Sequence, residues 1–204
     1  PLQQLTGVQE FMGLEFYVNE HVLIPRQDTE TLVELVLSEH KEKNISLLDV
    51  CTGSGCIAIS LAKLGGYTDV TALDLSEEAV KGARSNGEKL LDQPVKFIKS
   101  DMFSALNPEK QYNVIVSNPP YIPSQVIEGL EPEVKDHEPR MALDGEPDGL
   151  KFYRILAEEG KKYLKNGGSI YMEIGWDQAK DVTEIFEAMG FSGLRTVRDM
   201  AGND

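Results

Sequence analysis

The sequence predicts an α/β fold: a doubly wound, mostly parallel sheet with a β-hairpin in front of it. Three observations carry this. From Ser46 onward, short apolar runs alternate with stretches whose apolar residues recur at helical spacing. The first run, Ser46 to Cys51, passes at once into Thr52-Gly53-Ser54-Gly55 and then a helical period. The fourth run, Asn113 to Ser117, ends in Asn118-Pro119-Pro120-Tyr121, where two prolines forbid continuation as helix or ladder.

Taken in order, Phe11 to Ile24 alternates loosely around the turn signals Gly13 and Asn19-Glu20, which predicts the hairpin. Asp28 is the expected N-cap of a helix reaching Glu39, with Leu32, Leu35 and Val36 on one face. Ser46 to Cys51 is the first sheet strand, and Ile57, Ile59, Leu61 and Leu64 mark the helix after the glycine turn. Strand, glycine turn, helix is the Rossmann-like context that a nucleotide fingerprint requires. Val70 to Leu75 is the second strand; Ser76 caps the next helix, with Glu77 and Glu78 at its positive end. Val95 to Lys99 is the third strand, followed by Ser100-Asp101-Met102-Phe103.

Ile122 to Gly149 has little periodicity, which predicts a long functional loop closing over the site, with Glu138 and Pro139 at its mouth. Leu150 to Leu164 reads as a helix, Asn166-Gly167-Gly168 as a turn and Ser169 to Ile174 as a strand. Gln178 to Met189 is a helix closed by Gly190, and Phe191 to Val197 a last strand.

Composition narrows the function classes. A hydrophobic content of 41% and a charged content of 26% over 204 residues are those of a soluble globular domain. No run approaches the ~18 apolar residues of a membrane span. The formal net charge of −14, with no dense Lys/Arg cluster, argues against a broad nucleic-acid surface, so no direct nucleic-acid partner is expected. Cys51 and Cys56, the two cysteines, form neither a disulfide framework nor a metal set; they read as buried thiols in a reducing cytoplasm.

The candidate chemistry lies at strand carboxyl ends, where open α/β sheets bind ligands. The turn residues Cys51, Thr52, Gly53, Ser54 and Gly55 allow close approach of a ligand to the backbone. Asp74, about twenty positions on, suits ribose hydroxyls. Asp101 is placed to accept from an adenine amino group, with Met102 against the ring. Asn118 offers a side-chain carbonyl beside unpaired backbone carbonyls, a pair of acceptors for a planar NH2, and Tyr121 can pack on the flat group. A nicotinamide dehydrogenase would match Gly53-x-Gly55 with Ala58, but it has no use for Asn-Pro-Pro-Tyr. S-Adenosylmethionine, an adenosine without a pyrophosphate, suits one glycine turn and two acids better.

Asp49-Val50-Cys51-Thr52-Gly53-Ser54-Gly55 together with Asn118-Pro119-Pro120-Tyr121 resembles the amino-methylating class I methyltransferases. Phe11 to Phe16, Val22 to Arg26, Glu138 to Leu143, Asp148-Gly149-Leu150 and Asp199 to Asp204 narrow the resemblance to the release-factor glutamine methyltransferases. The resemblance covers essentially the whole chain. It implies methylation of the glutamine amide in the Gly-Gly-Gln motif of peptide-chain release factors. The methyl donor would be S-adenosyl-L-methionine, the catalytic corner Asn118, Pro119, Pro120 and Tyr121, and the compartment the cytoplasm. Family members carry an N-terminal helical domain and a final strand. Residues 1–26 are therefore expected to be a hairpin lead-in linking to such a domain, and residues 27–204 the catalytic domain short of that strand. Gln27-Asp28 departs from the family's Pro-Glu. The competing readings are a DNA or RNA adenine amino-methyltransferase and a binding-only module.

Overall fold

The computed structural model describes residues 1–198 and 202. A short helix, α1 (Leu2–Thr6), leads into the antiparallel hairpin β1 (Val8–Phe11) and β2 (Leu14–Tyr17). The hairpin turns at Met12-Gly13, both at positive φ, and so sits nearer the N-terminus than the expected Phe11 to Ile24. Residues 18–26 form no strand. Phe11 and Phe16 explain the choice. Both are fully buried, edge to face at 6.2 Å, and each contributes about 2–3 kcal/mol by burial.

The helix after this lead-in begins with a 3-10 turn, Gln27–Thr29, and continues as α2 (Glu30–Glu39). Asp28 lies inside that turn and is not the cap; the position before α2 is Thr29, with no side-chain capping bond. Then come β3 (Ser46–Val50), α3 (Cys56–Gly65), β4 (Asp69–Asp74), α4 (Glu77–Leu90), β5 (Lys96–Lys99) and β6 (Tyr112–Ser117). These match the expected elements to within a residue or two. Ser76 caps α4 as expected, accepting from the Ala79 N–H at 3.2 Å.

The five-stranded sheet runs β5-β4-β3-β6-β7, with every neighbouring pair parallel and β7 (Leu164–Met172) at one edge. Order reverses between β3 and β6, so their carboxyl ends flank the crevice where ligands bind in such sheets. Period-2 alternation divides the core between two faces. Leu47, Val70, Ala72, Val114 and Val116 pack with α2, α3, α4 and the hairpin phenylalanines. Leu48, Val50, Leu73 and Ile115 pack on the other side against Tyr153 and Leu156 of α7 (Lys151–Gly160) and Phe186 of α8 (Ala179–Ala188). All five residues of β3 are buried, as a strand covered on both faces requires.

Three further expectations are corrected. The aperiodic segment 122–149 carries α5 (Ser124–Ile127), α6 (Pro132–Lys135) and a 3-10 turn, Arg140–Ala142. It is tied at its base by Ile122 N–H to the Leu143 carbonyl (3.0 Å) and Gly145 N–H to the Ile122 carbonyl (2.8 Å). The expected turn Asn166-Gly167-Gly168 is absorbed into β7 as a register irregularity opposite Tyr112 to Val114. Phe191 to Val197 forms no strand. Its apolar residues Phe191, Leu194 and Val197 are spaced by three, not two, and Gly193 takes φ +66°. The terminal motif Asp199 to Asp204 lies outside the described residues apart from Gly202. Among the described residues, no helix is long and apolar enough to cross a membrane.

Candidate active site

The carboxyl ends of β3, β4, β5 and β6 surround a cavity of about 240 Å³. Cys51, Thr52, Gly53, Ser54, Asp74, Asp101, Met102, Asn118 and Pro120 all line it. Gly55, Pro119 and Tyr121, also singled out from sequence, do not.

The glycine turn is set by hydrogen bonds from three directions. Thr52 N–H donates to the Leu73 carbonyl at 2.8 Å, and Gly53 N–H donates to Asp74 Oδ2 at 2.9 Å. The other Asp74 oxygen accepts from Ser76 N–H at 3.0 Å. Asp74 thus holds both the turn and the start of α4, while each oxygen keeps a second lone pair toward the cavity. Burial pushes its carboxyl up against the pull of those two N–H donors. Asn86, fully buried, joins the turn to the hairpin. Its Nδ2 donates to the Ser54 carbonyl (2.9 Å) and the Tyr17 carbonyl (3.1 Å), and its Oδ1 accepts from Tyr17 N–H (2.8 Å).

The two glycines differ in role. Gly53 at φ +56° has nothing within 4 Å of where a Cβ would stand, so its face is open to the cavity. Gly55 at φ +85° faces inward; a Cβ would stand 2.9 Å from Ile59 Cδ1 and 3.1 Å from Ala83 Cβ. Its small size serves the packing of α3 on α4. Cys51 and Met102 adopt positive φ without being glycine, and their sulfurs lie 3.8 Å apart on the cavity wall. Such strain at strand ends concentrates where ligands are held. Burial raises both thiols, Cys56 to about 12, so neither is a nucleophile near neutral pH.

Asp49, which the sequence offers only as a strand residue opening the glycine-turn motif, is fully buried next to the turn. Its Oδ2 accepts from Thr52 Oγ1 at 2.7 Å, while Oδ1 has no partner. Burial pushes its carboxyl up to about 7.

At the proline corner, Asn118 faces the cavity, whereas Tyr121 lines a neighbouring groove of about 590 Å³ along β7 together with Glu173 and Arg26. Tyr121 therefore stands off the glycine-turn cavity, on the groove beside the Asn118 corner. Burial raises its hydroxyl, and the neighbouring Glu173 carboxyl adds to this. Glu173, also missed from sequence, accepts from Thr29 Oγ1 at 2.6 Å and has the Asn118 side chain as a neighbour that favours its ionised form.

The segment 122–149 reaches this site through Pro139, Met141 and Ala142. Glu138, 5% exposed, pins it there, accepting from Ile24 N–H at 3.0 Å and pairing with Arg26. Pro25 and Arg26 line the same cavity, so one ion pair joins two parts of its wall.

Residues 27–129 match the family described as methyltransferase small domain. A release factor glutamine methyltransferase of Fusobacterium nucleatum is 44% identical over 209 residues, spanning 100% of this chain and 58% of that protein. One of Geobacter sulfurreducens is 42% identical over 204 residues, spanning 100% of this chain and 71% of the relative. The chain thus covers somewhat over half to about seven-tenths of the length of these curated relatives. Among solved structures, a methyltransferase from Pyrococcus furiosus superposes with a TM-score of 0.63 at 20% identity, over 89% of this chain and 80% of that one, a likeness of fold. On the identity and coverage of these relatives, the chain belongs to the release factor glutamine methyltransferase family.

Proposed function

We propose that this chain transfers a methyl group from S-adenosyl-L-methionine to the side-chain amide nitrogen of the glutamine in the Gly-Gly-Gln motif of a peptide-chain release factor. The observation that carries the reading is the placement of Asn118 on the wall of the cavity that the glycine turn and Asp74 also line. The residues present suit the methyl donor. The open face of Gly53 would admit a ligand against the backbone, Asp74 keeps lone pairs that would suit ribose hydroxyls, and Asp101 and Met102, on the same cavity wall, would take the adenine. When bound, the donor supplies an electrophilic methyl on a sulfonium, which needs no activation by the protein.

The difficulty is the nucleophile, because an amide nitrogen's lone pair is delocalised into its carbonyl. Asn118 Oδ1 and the Pro119 carbonyl, as acceptors from the NH2, hold the nitrogen in line and favour its pyramidal form. Orientation of this kind supplies several kcal/mol, up to ~7–11 in the best cases. The two prolines fix the backbone of the corner, so little reorganisation is needed at the moment of reaction. The proton leaves the nitrogen after transfer, and no general base is required before attack.

An adenine amino-methyltransferase is not favoured. The relatives above are glutamine methyltransferases, and the chain carries a formal net charge of −14. The test is transfer of labelled methyl from S-adenosylmethionine to a purified release factor, with its Gln→Ala form as control. Label in the wild-type factor alone is the expected result. Equal label in both, or in neither, overturns the proposal.

A further inference from the structure

We propose that Glu173 fixes which way the Asn118 amide points, a positioning role in the methyl transfer proposed above and resting on that reading. Register brings the two together. Ser117 pairs with Met172 in the parallel β6-β7 ladder, and Glu173 N–H donates to the Ser117 carbonyl at 3.1 Å. The next residues, Asn118 and Glu173, therefore leave the sheet side by side. Tyr153 Oη donates to the Glu173 carbonyl at 2.8 Å and anchors this strand end from α7.

The Glu173 carboxylate accepts from Thr29 Oγ1 at 2.6 Å, and the Tyr121 hydroxyl and the Asn118 side chain are its polar neighbours. An ionised carboxylate only accepts hydrogen bonds. Asn118 must therefore spend its NH2 group on Glu173, which leaves Oδ1 for the cavity. An asparagine amide is otherwise close to two-fold about its last torsion and turns over at little steric cost. Turned over, it would present N–H groups to the substrate's own NH2, donor against donor. The carboxylate thus selects the one orientation that can bind the amide to be methylated.

The arrangement also has a pH dependence. Burial pushes the Glu173 carboxyl up, and Asp28 adds to this, while Thr29, Arg26 and Asn118 favour the ionised form. Once protonated, Glu173 carries a donor as well as an acceptor, so either orientation of the Asn118 amide finds a partner. The amide is then no longer held one way, so methyl transfer slows as pH falls through the raised value.

The experiment compares wild type, Glu173→Ala and Glu173→Gln. Single-turnover methylation of a release factor is read together with the side-chain amide signals of Asn118 in 15N-labelled protein. Glu173→Ala is expected to slow transfer roughly 10–100-fold, the loss of one hydrogen bond to a charged group, with cofactor affinity within about twofold. Its Asn118 NH2 signals should also lose their protection from exchange. Glu173→Gln, like the protonated acid, both donates and accepts, so it should hold transfer near the wild type's low-pH level at every pH and lose the low-pH limb. The proposal is overturned if Glu173→Ala leaves rate and amide signals unchanged, or if Glu173→Gln keeps the wild-type rate at neutral pH. Should the alanine variant fail to fold, the pH profile of Glu173→Gln decides, with a persisting low-pH limb overturning the role. The amide signals need no methyl acceptor. If wild type transfers no methyl, the functional proposal falls while the signals still decide whether Glu173 orients Asn118.

Discussion

Replacing Asp74 with alanine removes two things at once, and the structure separates them. The carboxylate accepts from Gly53 N–H at 2.9 Å and from Ser76 N–H at 3.0 Å. Hydrogen bonds to a charged group are worth about 1.5–3 kcal/mol each, so a naive sum would be large. Burial nevertheless outweighs those donors in its effect on the carboxyl, which is pushed up rather than down. The ionised side chain therefore carries a desolvation cost that its deletion relieves. The freed N–H groups border an open cavity, where water can reach them. A net loss of about 1–3 kcal/mol in folding stability is expected. Cofactor affinity should fall further than one ribose contact implies, because Gly53 loses its tether. A ~1.5–3 kcal/mol loss from that contact alone is about 10–150-fold. Calorimetric titration with S-adenosylmethionine and urea unfolding on the same preparation measure both. An unchanged affinity with a lowered unfolding midpoint would leave Asp74 a turn residue only. Both quantities unchanged would refute the geometry as well.

The two glycines should behave oppositely. Gly55→Ala, strained at φ +85° and crowded by Ile59 and Ala83, should destabilise by about 2–4 kcal/mol. Gly53→Ala should cost only ~1–2 kcal/mol of stability but weaken cofactor binding, since its Cβ enters open space on the cavity wall; similar unfolding midpoints for the two would contradict this. Glu138→Ala leaves Ile24 N–H and Arg26 without their partner, a cost of about 3 kcal/mol felt locally. Hydrogen exchange should quicken in residues 122–149 and near Ile24, and uniform protection across the variant would argue against a latch. The Asp49 carboxyl, raised to about 7, holds a proton in the folded state that the unfolded chain releases near ~3.9. Its stability contribution is full below ~pH 4 and is lost as pH rises through about 7. Wild type should therefore lose melting temperature relative to Asp49→Asn across that window, and parallel curves would show that Asp49 does not titrate there.

How much of this was legible in the sequence follows from what each feature depends on. The turn at Gly53, the acids at the end of β4 and after β5 and the corner at Asn118 rest on local rules, strand then breaker then polar residue, and so are legible in the sequence. Glu173 could not be placed so easily, because its meeting with Asn118 depends on β6-β7 register, which no single run of residues encodes. A signal was present: an acid ending the apolar run Ile170-Tyr171-Met172, the same pattern that marks Asp74. Asp49 was hidden by the opposite problem, since its burial comes from helices packed on both faces of the sheet. Segment 122–149 lacks periodicity because its helices are only four residues long, held by contacts such as Ser124 Oγ to Asp144 Oδ1 at 2.6 Å rather than by an apolar face. Phe191 to Val197 is apolar enough for a strand, but its apolar residues recur every three positions and so fall on no single strand face.

On the proposed function, Asn118 aligns the accepting nitrogen and does not build the fold. Its side chain is only part-buried at the end of β6, and the glycine turn and two acids provide most of the expected cofactor contact. Asn118→Ala should therefore keep the sheet and bind S-adenosylmethionine nearly as wild type. Single-turnover methylation should fall ~10²–10³-fold, or roughly 2.7–4 kcal/mol, as for loss of one preorganised hydrogen-bonding group. Methyl transfer within a fewfold of wild type, in a variant that binds the cofactor normally, would contradict the account.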